Sequence, residues 1–168
     1  MTNDLLLRRA TEADIPDVMR TERLPGYSEM VGCWEQDKHL ATLANPNFAY
    51  FVTENETGYV GFTIVEGWAS KDQITLVKRV AVAEPGRGSG KQMVRQIVDL
   101  VFSETEVHRL WIGCFPGNLR ARRTYEAVGF TAEGVLRAAA YFHGRHHDEL
   151  VLSMLRPEWE ARHTASGL

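Results

Sequence analysis

Val80-Ala81-Val82-Ala83-Glu84-Pro85-Gly86-Arg87-Gly88-Ser89-Gly90-Lys91 is the stretch on which the fold turns. A β-type apolar run leads into it. Val94, Ile97, Val98, Val101 and Phe102 follow at helical spacing. As a helix start the segment between them is unfavourable. A glycine costs about 1 kcal/mol relative to alanine inside a helix, and a cation near the N-terminus opposes the macrodipole by about 0.3–1 kcal/mol. Gly88 to Gln92 contains no Asp or Glu to compensate. A bound anion reconciles these features: glycines let the main chain come close, orphan N–H groups point outward, and Arg87 and Lys91 flank the turn. The turn is therefore expected to hold a phosphate-bearing ligand.

Working outward, Ile74–Val82 reads as a strand, Gly88–Glu104 as a helix and Arg109–Phe115 as a returning strand. That order predicts a right-handed crossover between parallel neighbours. Upstream lie a short strand, Leu5–Arg9, a helix capped by Thr11, a loop from Pro25 through Gly32, and a helix from Trp34 to Ala44. Phe48–Thr53 and Tyr59–Glu66 are strands joined at the Asn55-Glu56-Thr57-Gly58 turn, and the second can pair with Ile74–Val82. Downstream, Asn118 caps a helix that ends at Val128, and Gly129 supplies a residue of positive φ to close it. Phe130–Tyr141 and His146–Leu155 form a last hairpin, and the polar tail after Arg156 is expected to fray. The expectation is one α+β domain spanning residues 1–168, built on a mixed sheet.

Composition narrows the function classes. The 168 residues, 44% hydrophobic and 24% charged, fit one soluble globular domain. A net charge of −3 gives no support for nucleic-acid binding. The apolar run Leu5–Leu7 is too short for a secretory signal or a membrane span. Cys33 and Cys114 stand far apart and suit reduced thiols of a cytoplasmic protein, with Cys114 packed in a strand.

Other phosphate motifs fail on spacing. A Walker-type loop needs glycine where Pro85 stands and Ser or Thr where Gln92 stands; a dinucleotide fingerprint needs a third glycine at Lys91 or Met93. His143, His146, His147 and Asp148 match no zinc spacing, and neighbours on a strand face opposite ways, so no metal is expected.

The run Val80–Gly90 resembles the pyrophosphate loop of the GNAT superfamily of N-acetyltransferases. Gly88 and Gly90 match its glycines, and Pro85 stands where that family has Gln or Arg. Asn118 through Tyr125-Glu126 to Gly129-Phe130 is similar to the family's second signature. The resemblance implies a mixed, mostly antiparallel sheet flanked by about four helices and acetyl-CoA as co-substrate. It implies that Val80, Ala81 and Val82 pair with pantetheine. Arg87, Gly88, Ser89, Gly90 and Lys91 would hold the diphosphate, and Asn118, Ala121 and Tyr125 would contact the cofactor. Asn118 and Tyr125 share a helix face, nearly two turns apart, and Tyr125 is the candidate general acid. Arg120, Arg122 and Arg123 are candidates for the 3′-phosphate.

Glu133-Gly134-Val135-Leu136-Arg137, with Gly144 and Asp148, is similar to the branch acting on ribosomal-protein N-termini and to spermidine acetyltransferases. The expected partner is an amine, either a small molecule or a protein N-terminus, with neither nucleic acid nor membrane; a homodimer is compatible. In similar proteins the loop Leu24–Cys33 and the final hairpin line the acceptor pocket, with Tyr27 and Trp34 as walls. The strand before the glycine turn carries Lys78 and Arg79 and no carboxylate, so Glu66, Glu29, Glu35 or a water chain remain open as the base. A non-catalytic acyl-CoA-binding module is the alternative function.

Overall fold

The computed structural model describes residues 4–27, 29–30 and 32–167. Within them seven strands form one sheet in the order β1-β2-β3-β4-β5-β7-β6. The strands are β1 (Leu6–Arg9), β2 (Phe48–Asn55), β3 (Gly58–Glu66), β4 (Ile74–Val82), β5 (Arg109–Cys114), β6 (Thr131–Phe142) and β7 (Arg145–Leu155). All neighbours are antiparallel except β4 and β5, whose parallel pairing runs from Ile74↔Arg109 to Val77↔Ile112. The crossover expected from the sequence is therefore present. It contains α3 (Ser89–Glu104), whose Val94, Ile97, Val98 and Val101 are all buried. Each contributes about 1.5–3 kcal/mol on burial, which outweighs the poor electrostatics of the helix's first turn.

Helix α3 and α4 (Leu119–Val128) cover one face of the sheet, while α1 (Ile15–Glu22) and α2 (Gln36–Leu43) cover the other near β2–β4. Helix α1 is preceded by a single 3-10 turn at Glu12–Asp14. Asn118 caps α4, its Oδ1 accepting the Ala121 N–H at 3.2 Å, and Gly129 closes that helix with φ 125°.

The tail departs from expectation. Arg156–Ala165 forms α5, so five helices flank the sheet in the described residues rather than about four. Pro157 sits in its first turn, and the Glu158 carboxylate accepts the Leu155 N–H at 2.8 Å. Trp159 then stacks on Phe102 at 5.3 Å and donates to Asp99 at 2.8 Å. Arg162 donates to the Val128 carbonyl at 2.6 Å, which ties the helix to the end of α4. Polar composition hid these long-range anchors.

One irregularity creates the site. Ile64 faces Arg79 but the next residue, Val65, faces Val77, so Lys78 is an extra residue bulged out of β4. The bulge reverses the facing of the strand. Val77 packs on the α3 side, while Ala81 packs on the α1–α2 side. Pairing between β4 and β5 also stops at Val77, although β4 continues to Val82 and β5 to Cys114. The two strands splay into an open wedge.

Candidate active site

Main-chain groups along the wedge follow from the ladder. Ala83 N–H donates to the Val60 carbonyl on β3 at 2.8 Å. In an antiparallel pair these directions alternate, so Val82 and Val80 present N–H and C=O to the wedge. The Val82 groups are engaged by a side chain: Tyr27 donates to its carbonyl at 2.8 Å and accepts its N–H at 3.2 Å. Tyr27, expected as a pocket wall, lines the cleft with its hydroxyl set against the β4 edge. Ser28 and Val31 of the same loop lie outside the described residues.

A cleft of about 730 Å³ opens from this wedge to the start of α3. Val80, Ala81 and Val82 form its floor, and Gly88, Ser89, Gly90 and Lys91 form one end. Gly88 has φ 79°, a left-handed conformation that lets the first amides of α3 turn outward. Those first-turn N–H groups have no acceptor within the helix, and they face the cleft. Asn118, Ala121 and Tyr125 of α4 close the other side.

Arg87 does not join this assembly. Its guanidinium pairs with Glu84 at 3.1 Å on the exposed rim, and it does not line the cleft. The cations that do are Lys91 and Arg120, and Arg120 approaches the turn at Gly86. Arg122 is engaged by Glu126 at 3.0 Å, and Arg123 is exposed outside the cleft.

Tyr125 is buried beside Cys114 and Tyr27, and burial pushes its phenol well above the ordinary value near 10. The Cys114 thiol, half-buried in the cleft wall, is raised by the same cause. Both groups are therefore neutral at pH 7, and Tyr125 is suited to donate a hydrogen bond.

On the opposite face of the sheet a buried polar network ties α1, α2 and β4 together. Glu22 is fully buried and pairs with Arg79 on β4; its other oxygen meets His39 at 3.0 Å and accepts the Trp34 N–H at 3.3 Å. His39 continues to the Tyr50 hydroxyl at 3.0 Å. Trp34 receives Arg79 over its ring at 4.4 Å and Lys38 at 4.7 Å. Of the carboxylates considered as bases, Glu66 is paired with Lys78 at 2.6 Å, Glu35 is 90% exposed near Arg23, and Glu29 is exposed.

The histidines near the hairpin tip are used in packing. His147 stacks on Phe142 at 4.1 Å, His146 lies against Tyr141 at 4.9 Å, and Asp148 accepts the Ala138 N–H at 2.8 Å. Among the described residues no three metal-ligating side chains converge, and no helix is long and apolar enough to cross a membrane.

Comparison with known proteins agrees with this geometry. Over 75 residues the chain is 36% identical to a putative ribosomal N-acetyltransferase YdaF of Bacillus subtilis, covering 45% of this chain and 41% of that protein. It is 31% identical over 83 residues to an aminoglycoside N(6′)-acetyltransferase type 1 of Klebsiella pneumoniae, covering 46% and 41%. The chain thus matches less than half the length of these curated relatives. The crystal structure of a spermidine N-acetyltransferase from Vibrio cholerae in complex with CoA and spermine shares the fold, with TM-score 0.82, 17% identity, and coverage of 93% of this chain and 98% of that one. The model of the acetyltransferase (GNAT) domain matches residues 4–131, and the chain belongs to that family.

Proposed function

We propose that this chain moves an acetyl group from acetyl-CoA to a primary amine by direct attack within a ternary complex. The observation that carries this reading is the continuity of the cleft. One end offers unpartnered helix amides, the middle offers a strand edge held by no neighbouring strand and only at Val82 by the Tyr27 hydroxyl, and the far end holds a protonated phenol.

The chemistry sets what each part would do. The diphosphate of CoA rests on the amides of Gly88 to Lys91, with Arg120 and Lys91 balancing its charge. The pantetheine arm runs along the β4 edge. The thioester carbonyl lies where the Val80 N–H can stabilise a tetrahedral oxyanion. Tyr125 hydrogen-bonds to the sulfur as it leaves. Free phenol near 10 and thiol near 8.5 make full proton transfer uphill by about 2 kcal/mol. Burial raises the Tyr125 phenol further, and the same dry surroundings raise the thiolate it faces.

Attack by the acceptor is direct because the site lacks an activated nucleophile of its own: the Cys114 thiol is raised rather than lowered. An alkyl amine is only about 0.04% neutral at pH 7, so a proton acceptor on the acceptor side is required. Small-molecule amines and protein N-termini both fit. An exposed thiol at Cys33 suits a reducing, cytoplasmic setting.

Calorimetric titration with acetyl-CoA, with ATP as the competing phosphate ligand, is the first test, followed by thiol release over a panel of amines and N-terminal peptides. Tight acetyl-CoA binding with amine-dependent thiol release supports the enzyme. Binding without release with every acceptor would identify an acyl-CoA-binding module, and preference for ATP would overturn both.

A further inference from the structure

Resting on the acyl-transfer reading above, we infer that Glu149 of β7 is the group that receives and deprotonates the acceptor ammonium, in a subsite floored by Gly113 and walled by the Phe115–Phe142–His147 stack.

Register places the carboxylate. Gly113 pairs with Val151 and Cys114 with Leu150, so by continuation Phe115 stands opposite Glu149. Opposed residues share a face. Leu150 and Cys114 look toward α3 and α4; Gly113, Phe115, Glu149 and Val151 therefore look the other way. The Glu149 carboxylate lies directly over Gly113, so closely that a Cβ at that position would overlap it. Gly113 also lines the cleft that contains Tyr125. The thioester carbon in the wedge would thus have Tyr125 on one side of the sheet and Glu149 on the other, the arrangement a direct displacement needs.

The carboxylate is also available. No described residue hydrogen-bonds to it, and the positive charge acting on it, Lys78, is already paired with Glu66 at 2.6 Å. Other carboxylates nearby are spent: Glu22 on Arg79 and His39, Glu133 on Arg109 and Ser153. Partial burial raises Glu149 above the ordinary 4.5, which makes it a stronger proton acceptor.

Beside it, Phe115 and Phe142 stack at 5.3 Å and Phe142 and His147 at 4.1 Å. A carboxylate beside flat apolar rings fits a primary ammonium carried on an apolar or aromatic body. Two protons leave the nitrogen. The first goes to Glu149 before attack and then to solvent. The N–C bond forms and the C–S bond breaks; the second proton, shed as the adduct collapses, replaces the one Tyr125 hands to sulfur.

The test compares the wild type with Glu149→Gln, using an alkylamine and an alkoxyamine that is already neutral at pH 7. With the alkylamine, Glu149→Gln should lower kcat by about 100-fold or more, with acetyl-CoA affinity within about 2-fold of wild type. With the alkoxyamine the loss should shrink to below about 10-fold, because no ammonium needs deprotonating. Glu149→Asp should recover part of the alkylamine rate. Unchanged kcat, or equal loss with both acceptors, would overturn the assignment while leaving acyl transfer intact. A wild type that releases no thiol with any amine would overturn the parent reading as well.

Discussion

The Tyr27 hydroxyl holds both main-chain groups of Val82, accepting the N–H at 3.2 Å and donating to the carbonyl at 2.8 Å. It satisfies the strand edge that a pantetheine arm would pair with, so cofactor entry must displace it. Each such bond is worth about 0.5–1.5 kcal/mol net. Tyr27→Phe keeps the ring and frees the edge, and should tighten acetyl-CoA binding by about 3- to 10-fold. Calorimetry reads this directly. Weaker binding would mean that the hydroxyl contacts the cofactor rather than standing in its way.

Glu22 joins α1, the loop after it, α2 and β4 through Arg79, His39 and the Trp34 N–H, all at a buried point. Removing one partner of a buried pair leaves the other charge stranded, at about 3–5 kcal/mol. Glu22→Ala should therefore lower unfolding free energy by about that amount in a denaturant titration. A change under about 1 kcal/mol would show that water reaches Arg79 and replaces the carboxylate.

Much of this was legible in local signals. The crossover, the glycine turn and the Asn118 cap each depend on residues adjacent in sequence, and each stands where the sequence implied. What was hidden depends on contacts across the chain. Arg87 looked like the flanking cation because it is next to the turn, but Glu84, also next to the turn, takes it. Arg120 reaches the same place from α4. Glu66, Glu29 and Glu35 all precede the turn in sequence, whereas Glu149, proposed above as the base, is brought over Gly113 by β5–β7 register, which only tertiary pairing sets. Likewise α5 shows no amphipathic stripe; it is held by Trp159 on Phe102 and Arg162 on Val128.

The Glu133–Arg109 pair gives a pH signature in stability. Two hydrogen bonds of 2.6 Å from Arg109, and one of 2.7 Å from Ser153, hold the Glu133 carboxyl down at about 2. A depressed carboxylate contributes stability that is fully present above its unfolded value near 4.5 and is lost as pH falls through about 2. The pair is part-exposed, so solvent reduces its worth. The Tm gap between wild type and Glu133→Gln should be constant from pH 5 to 7 and close between about pH 4.5 and 2. A gap that instead widens in acid would contradict the pairing.

Tyr125 makes the sharpest kinetic prediction, because its burial fixes the sign of its pH dependence. A phenol pushed above 10 stays protonated through the whole range in which the protein is handled. As a donor to sulfur it should therefore produce no fall in kcat between pH 7 and 9. Tyr125→Phe keeps the ring packed against Phe130 and removes only the donor. Because a thiolate near 8.5 leaves with modest help, the loss in kcat should sit near the low end for general acids, about 10- to 100-fold, with acetyl-CoA affinity nearly unchanged. The two measurements constrain each other. A basic limb below pH 9 that disappears in Tyr125→Phe would require a lowered phenol, which the buried setting does not provide. Unchanged turnover in the variant would hand the thiolate to solvent or to another neutral donor in the cleft wall, such as the Cys114 thiol.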